Sequence, residues 1–309
     1  MGFQMKRVLA SLALFLSFPL SARTQEAGTL TFVEGALRVI RGTAVLQAVE
    51  GMRLRPGDIF ESSDPGFAQL EFPGGAIVAL GSSSRLFLLG DRAGRGQEKT
   101  AGAAPTVELV LLSGWLKGEI NPNAGTYRYA TPALAAISRD GSVVLHAAAT
   151  TEIYVESGSA TIGVVNPDGN MGNSSSTKAG QFFSRRAGKS VITSPRPDPS
   201  FVNAMPRPFR DTLPSRLPRF AGKRPAEPRR DHEVTYPEIQ PWLTTGHAWR
   251  RGFVQRFEPR LNDAEFRKGI EAHLSEHPEW DRILHPEKYE PKTPPPADNP
   301  KSQPGREST

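Results

Sequence analysis

The residues with the most specific chemistry are His273-Leu274-Ser275-Glu276-His277. They match the H-x-x-E-H signature of inverted zinc peptidases. At about 100° per residue, His273 and His277 fall on one helical face and could reach one metal. Pro278 ends any helix at the second histidine, however, and the same face carries Phe266 and Ile270. The pattern therefore reads as two histidines flanking a packed apolar stripe. His273 and His277 stay as candidate metal ligands, and no cofactor is expected. Ser113 and Ser142 lack the G-x-S-x-G elbow of a serine nucleophile, and His146 lies inside the apolar run VVLHAAA, where a core histidine is expected. Asp58 with Glu61, and Glu152 with Glu156, have no spacing that marks an acid and a base. Trp115, ahead of Lys117, could offer a sugar a stacking face but reads as core. With no phosphate-cradling glycine loop either, the chain reads as non-enzymatic.

The elements that must position these residues begin with an export signal. Lys6 and Arg7 precede the apolar run Val8 to Leu20, which spans roughly 20 Å as a helix against a bilayer core of about 30 Å. Residues 1–22 therefore read as a signal peptide, with a cut expected after Ala22. A periplasmic or secreted location is implied, and no later stretch reaches the roughly 18 apolar residues of a membrane span. The absence of cysteine excludes disulfide staples, thiolate metal sites and a lipobox anchor. The formal net charge of +6 is uneven, because residues 200–230 hold 8 basic against 2 acidic side chains.

Between residues 28 and 192 the chain is a succession of short β-type runs, among them TLTFVEG, FAQLEFPGG, AIVALG, VELVLLSG and EIYVESG. Phe67, Gln69 and Glu71 alternate with the residues between them, as do Phe87 and Leu89 with Leu88. Gly57-Asp58, Gly74-Gly75, Gly81 and Gly90 read as structural turns or sheet corners, as do Asp140-Gly141 and Asp168-Gly169. Arg92 to Ala104 reads as a surface loop, and Asn166 to Lys178 as a polar hairpin tip. This part is expected to be all-β, a sandwich or twisted solenoid with inward Leu, Val, Ile and Phe.

The strings LRPGDIF (Leu54 to Phe60), FAQLEFPGGAIVALG (Phe67 to Gly81) and SSSRLFL (Ser82 to Leu88) resemble the FecR domain family, and LSGWLKG, YATP, ESGSATI and KAGQF resemble its continuation. The likeness covers about half of the chain and is a pattern of turns and strands. It implies an extracytoplasmic β module serving interaction or assembly in the cell envelope, linked to envelope signalling. The iron-responsive regulators that name the family also carry an anti-sigma segment and a membrane helix, where this chain opens with an export signal.

After residue 192 the composition changes. Residues 193–235 are Pro-rich and basic, and are expected to be an extended, solvated linker. Residues 236–290 show helical spacing: Trp249, Phe253 and Phe257 recur every four residues, as do Phe266, Ile270 and Leu274. A short helical hairpin joined near Pro259 is expected, its second helix capped by Asn262 or Asp263. Residues 291–309 have the composition of a disordered end. An envelope protein is the expected partner, reached through edge strands or the aromatic helix stripe; cell-wall or other polysaccharide is the alternative. Nucleic acid is not expected, since no recognition motif accompanies the basic charge.

Overall fold

The computed structural model describes residues 27–91 and 106–289. The expected export signal at 1–22, the loop Arg92 to Ala104 and the Pro-rich end at 291–309 lie outside the described residues. Strands come first: β1 (Gly28–Arg41), β2 (Ala44–Gln47), β3 (Arg53–Leu54), β4 (Ile59–Phe72), β5 (Ala76–Leu80), β6 (Arg85–Asp91) and β7 (Thr106–Ile120). They continue through β8 (Thr126–Ala130), β9 (Leu134–Ala147), β10 (Thr150–Val165), β11 (Met171–Lys178), β12 (Phe182–Arg186) and β13 (Ile192–Ser194).

Five of these strands run 14 to 16 residues, too long to serve a single layer of this size, and each bends near its middle. In the β9–β10 pair, Gly141 (φ +77°) and Gly158 (φ +71°) face each other where the register shifts. A Cβ on either would meet the opposing backbone, so only glycine lets the pair fold over. The β1–β4 register breaks in the same way beside Gly35, and β7 changes partners around Gly114. The bends divide the pairings into two layers. The front layer joins β3, the first half of β1, the second half of β4, β5, the second halves of β7 and β9, the first half of β10, β12 and β13. The rear layer joins β2, the second half of β1, the first half of β4, β6, the first half of β7, β8, the first half of β9, the second half of β10 and β11. The fold is mainly β, and of the sandwich kind.

Within each half-strand, alternation sends every second side chain into the space between the layers, and the register shifts at the bends reset its phase. Leu30, Val39, Phe60, Leu70, Phe72, Val78, Leu88, Leu109, Leu116, Tyr129, Leu145 and Ile153 are among those that close this interior. Every residue of the interior cluster lies between Ala27 and Val191. The alternate residues form two further apolar surfaces. Phe67, Ile77, Ala79, Trp115, Val144 and Phe182 stand on the outside of the front layer, and Ile40, Val45, Ile59, Phe87, Leu89 and Val110 on the outside of the rear layer.

Residues C-terminal to β13 cover both outer surfaces. The expectation of a solvated linker is corrected here. Helix α1 (Pro199–Ala204), helical turns at Arg207–Arg210 and Leu217–Phe220, and strand β14 (Arg229–Glu233) occupy residues 199–233. Phe201, Met205, Phe209 and Leu213 are buried on the front layer, and β14 pairs with β2 at the edge of the rear layer. Pro199 is the first residue of α1 and Pro208 the second of its turn, positions whose N–H has no partner within the helix, so these prolines punctuate the segment without unfolding it. In place of one hairpin, the tail has five short helices: α2 (Tyr236–Leu243), α3 (His247–Arg250), α4 (Phe253–Phe257), α5 (Ala264–Ala272) and α6 (Asp281–Leu284). Asp263 is the residue that caps α5, its carboxylate accepting from the Phe266 amide at 3.0 Å. No described helix is long and apolar enough to cross a membrane.

Candidate functional site: two sheet faces that hold chain segments

The front face is built from the outward half of the alternation on β4 and β7. Phe67, Gln69 and Glu71 point outward in sequence, as do Trp115, Lys117 and Glu119. Across them lies a strap, residues 199–217. Its four apolar anchors, four residues apart, fill the apolar part of the face: Phe201 packs on Trp115 and Phe182, each 5.1 Å between ring centroids, and Phe209 lies 6.1 Å from Phe67. Gly81 lacks a left-handed φ and serves by being small, because a Cβ there would sit 2.9 Å from both Pro206 and Trp115.

The polar side chains of this face grip the strap's backbone. Lys117, only 1% exposed, donates from Nζ to the carbonyls of Phe209 and Asp211 at 2.9 Å each, and its charge is balanced by Glu119 at 3.2 Å and Glu156 at 2.7 Å. Glu119 accepts the Leu213 amide at 2.9 Å, and Gln69 donates to the Pro214 carbonyl at 2.9 Å. Glu71 takes the Ser215 hydroxyl at 2.6 Å, the Arg216 amide at 2.7 Å and the Leu217 amide at 3.3 Å, while Thr31 and Gln69 hold it from the sheet side. Burial pushes the Glu71 carboxyl up, but the hydrogen bonds from Ser215, Arg216, Thr31 and Gln69 outweigh it and hold the group below its ordinary range. The Arg216 guanidinium rests 3.9 Å above the Phe32 ring. The front face thus holds a segment of its own chain both by its backbone groups and by its apolar side chains.

The rear face holds the tail in a comparable way. Phe87 meets Trp242 at 5.9 Å and Phe253 at 5.3 Å between centroids. Arg256 donates to the carbonyls of Ile40, Gly42 and Gly57 at 2.7 to 2.8 Å, closing over the β1–β2 hairpin and the turn before β4. Burial lowers its guanidinium to about 10, with the nearby Asp58 charge opposing the fall. The aromatic stripe of Trp249, Phe253 and Phe257 is buried in this contact, so the expectation that it offers a free partner surface is corrected.

The candidate residues are thereby placed. Gly57 (φ +93°), Gly74 (φ +81°) and Gly75 (φ +87°) are turn glycines, and Asp58 is buried, accepting Arg41 through both oxygens at 2.8 and 2.6 Å and the Arg55 amide at 2.9 Å. Glu61 pairs with Arg38 at 2.7 Å, so Asp58 and Glu61 belong to separate ion pairs. Glu152 accepts His146 at 2.9 Å while Glu156 pairs with Lys117. His146 stacks on Trp115 at 4.2 Å, and Trp115 is 8% exposed beneath the strap, a core position and not a sugar platform.

The expectation that His273 and His277 share a helical face is corrected. Helix α5 ends at Ala272 and His273 is its C-cap, so the intervening residues form turns. Both rings pack on Tyr236, His273 stacked at 5.3 Å and His277 edge-on at 6.0 Å. His273 Nδ1 is bonded to the Gly269 carbonyl at 3.0 Å, and fully buried His277 lies with Nε2 3.2 Å from the Tyr236 hydroxyl. Among the described residues no group of three His, Asp or Glu side chains could hold a metal ion. The strap and its grip were missed in the sequence; the four-residue recurrence of Phe201, Met205, Phe209 and Leu213 within the Pro-rich segment was the available signal.

No protein-family model matches the chain, and no curated protein matches it. Two crystal structures of a "putative anti-sigma factor" from Parabacteroides distasonis, at 2.50 and 1.65 Å resolution, are similar over 47% of this chain, with a TM-score of 0.35 in each case. Identity is 11% and 12%, and the match covers 62% and 63% of those chains, less than two-thirds of their length.

Proposed function

We propose that the protein is an exported, non-catalytic interaction or assembly module of the bacterial cell envelope, with polypeptide as its ligand. The observation that carries this reading is the front face, where Lys117, Glu119, Gln69 and Glu71 engage backbone carbonyls, amides and a hydroxyl along the strap while its apolar side chains pack the anchors. Contacts to backbone groups together with apolar anchors suit a polypeptide segment that turns as the strap does, with residues 199–204 and 207–210 helical. The export signal and the FecR-like turn pattern supply the envelope setting and the link to signalling. Among the described residues β11 pairs only with β10 and β13 only with β12, and these edges add places for a partner strand to join the sheet. Polysaccharide binding, the rival reading, calls for exposed aromatics, and Trp115 is buried.

Cell fractionation combined with a photo-crosslinker at exposed Ser175 on β11 tests the proposal. The expected result is recovery in the periplasm or medium and a discrete protein adduct. Retention in the cytoplasm, or co-sedimentation with purified insoluble wall without a protein adduct, would overturn it.

A further inference from the structure

The strap fixes a row of cations on the outside of the front layer. Its anchors cross the layer from strand to strand: Phe201 meets Phe182 of β12 and Trp115 of β7, Phe209 meets Phe67 of β4, and Arg216 covers Phe32 of β1. Beyond the strap, the Ala226 amide donates to the Gly51 carbonyl at 3.2 Å, and a Cβ on Gly51 would sit 3.0 Å from the Phe220 ring. Residues 201–226 are therefore held against the sandwich, and the side chains between their contacts face solvent. Arg207, Arg210, Arg219, Lys223 and Arg224 are exposed, and Arg216 is half-buried. From Arg207 to Arg224 these six basic residues stand against one acidic residue, Asp211. Arg207, Lys223 and Arg224 have no hydrogen bond or ion pair among the described residues, and Arg219 reaches only Glu50, at 3.9 Å. Glu71, Glu119 and Glu156 lie beneath the strap, engaged by its amides and by Lys117. Residues 236–289, on the rear face, hold 8 basic and 9 acidic side chains, so the one-signed surface belongs to the strap.

Exposed apolar side chains gather beside the same row. Five large ones are exposed among the described residues: Val49, Ile192, Val202, Ile283 and Tyr289. Val202 lies within the strap, Ile192 (68% exposed) on β13 just ahead of it, and Val49 next to Glu50, the partner of Arg219. A dissolved polyanion calls for cations alone, whereas a bilayer surface takes cations at the headgroups and apolar side chains just below them. From this we infer that the outer side of residues 192–224 binds the surface of an anionic phospholipid bilayer, the cations at the phosphates and Ile192 and Val202 in the interface. The strap stays in place throughout. Its buried anchors hold the cations in a fixed row, so little backbone order is lost on binding. The polypeptide reading of the front face is a separate matter, because the lipid meets the side of the strap that faces away from Lys117 and Glu71.

The test is co-sedimentation of the chain from Arg23 onward, without the expected export signal. It is mixed with phosphatidylcholine vesicles carrying about 30% phosphatidylglycerol, and with vesicles of phosphatidylcholine alone. Binding to the first and not the second is expected, weakening as salt rises. Arg207→Gln/Lys223→Gln/Arg224→Gln removes three cations that bond to nothing, and at roughly fivefold per cation should lower partitioning about a hundredfold. The same charge change on the tail, Arg251→Gln/Lys268→Gln/Arg282→Gln, should leave it within about threefold, since those charges lie on the other face. Ile192→Ser/Val202→Ser, at unchanged charge, should lower it about tenfold. No binding to anionic vesicles, equal binding to both kinds, or equal losses from the strap and tail variants would overturn the lipid partner. So would binding to soluble polyphosphate as tight as to vesicles together with no effect of the serine pair, which assigns the row to a dissolved polyanion. Should the triple strap variant lose its β-type circular dichroism, Arg207→Gln and Lys223→Gln are measured singly, each with about a fivefold loss expected, and unchanged binding in both overturns the lipid partner.

Discussion

Lys117 Nζ lies 2.9 Å from the backbone carbonyl of Phe209, 92 residues further along the chain, and this bond ties the Pro-rich segment to the middle of the sheet. Replacing Lys117 by methionine keeps the aliphatic stem but leaves Glu119 and Glu156 without their cation. The expected loss is roughly 2–4 kcal/mol, below that of a fully enclosed pair because Glu156 is 31% exposed. Denaturant unfolding measures the loss, and limited proteolysis should move to bonds near residues 207–215.

Anchor burial predicts a second contrast. Phe201→Ala removes a ring packed among Trp115, Tyr154 and Phe182 and should cost about 3–5 kcal/mol. Its exposed neighbour Val202 should tolerate alanine within about 0.5 kcal/mol. Equal effects in urea titrations would contradict this packing.

On the rear face, Arg256 bonds three carbonyls with one planar fork, an arrangement lysine cannot reproduce. Arg256→Lys should therefore lose most of what Arg256→Ala loses, on the order of 2–4 kcal/mol. Tail detachment is read from the fluorescence of Trp242, Trp249 and Trp280.

Acid should loosen the two faces in different pH windows. Burial lowers the His277 imidazole below its ordinary 6.5, with Glu279 and Glu276 raising it and Arg250 adding to the fall. Its neutral form is favoured in the folded state, so this contribution is complete above pH 6.5 and is lost as pH falls from there through the lower folded value. Glu71 is held below its ordinary 4.5, so its contribution is present above that pH and is lost only further down. Stability measured against pH should decline first through the tail and later through the strap. His277→Asn should flatten the upper window and leave the lower one in place.

A zinc titration checks the histidine pair. A ligand of the native state raises the midpoint of thermal unfolding in proportion to its occupancy. With no third His, Asp or Glu grouped with them among the described residues and His277 fully buried, zinc should produce no chelator-reversible rise, and His273→Ala should not change the response.

Much of the sandwich is legible in the sequence because strands carry their own period. Phe67, Gln69 and Glu71 against Ala68, Leu70 and Phe72 mark the two sides of β4, and glycines mark the turns. The doubling of long strands into two layers is not legible, since the bend at Gly141 and Gly158 depends on which strands pair. The strap was hidden for a different reason. Proline content alone suggests solvation, whereas what decides burial is a complementary surface elsewhere in the chain, and no local pattern reports Trp115 and Lys117 waiting opposite. The histidine pair misleads in the converse way: the spacing is helical, but Pro278 and the cap at His273 end the helix before it can present both rings.

Hydrogen exchange under native conditions, resolved by residue, measures whether the sandwich interior is complete without the segments laid on its outer faces. Amides in β4, β7, β9 and β10 are expected to exchange only by global unfolding, while those of 201–217 and 236–284 open separately at lower free energy, the first set responding to Phe201→Ala and the second to Arg256→Ala. A single opening free energy shared by strap, tail and interior strands would contradict it.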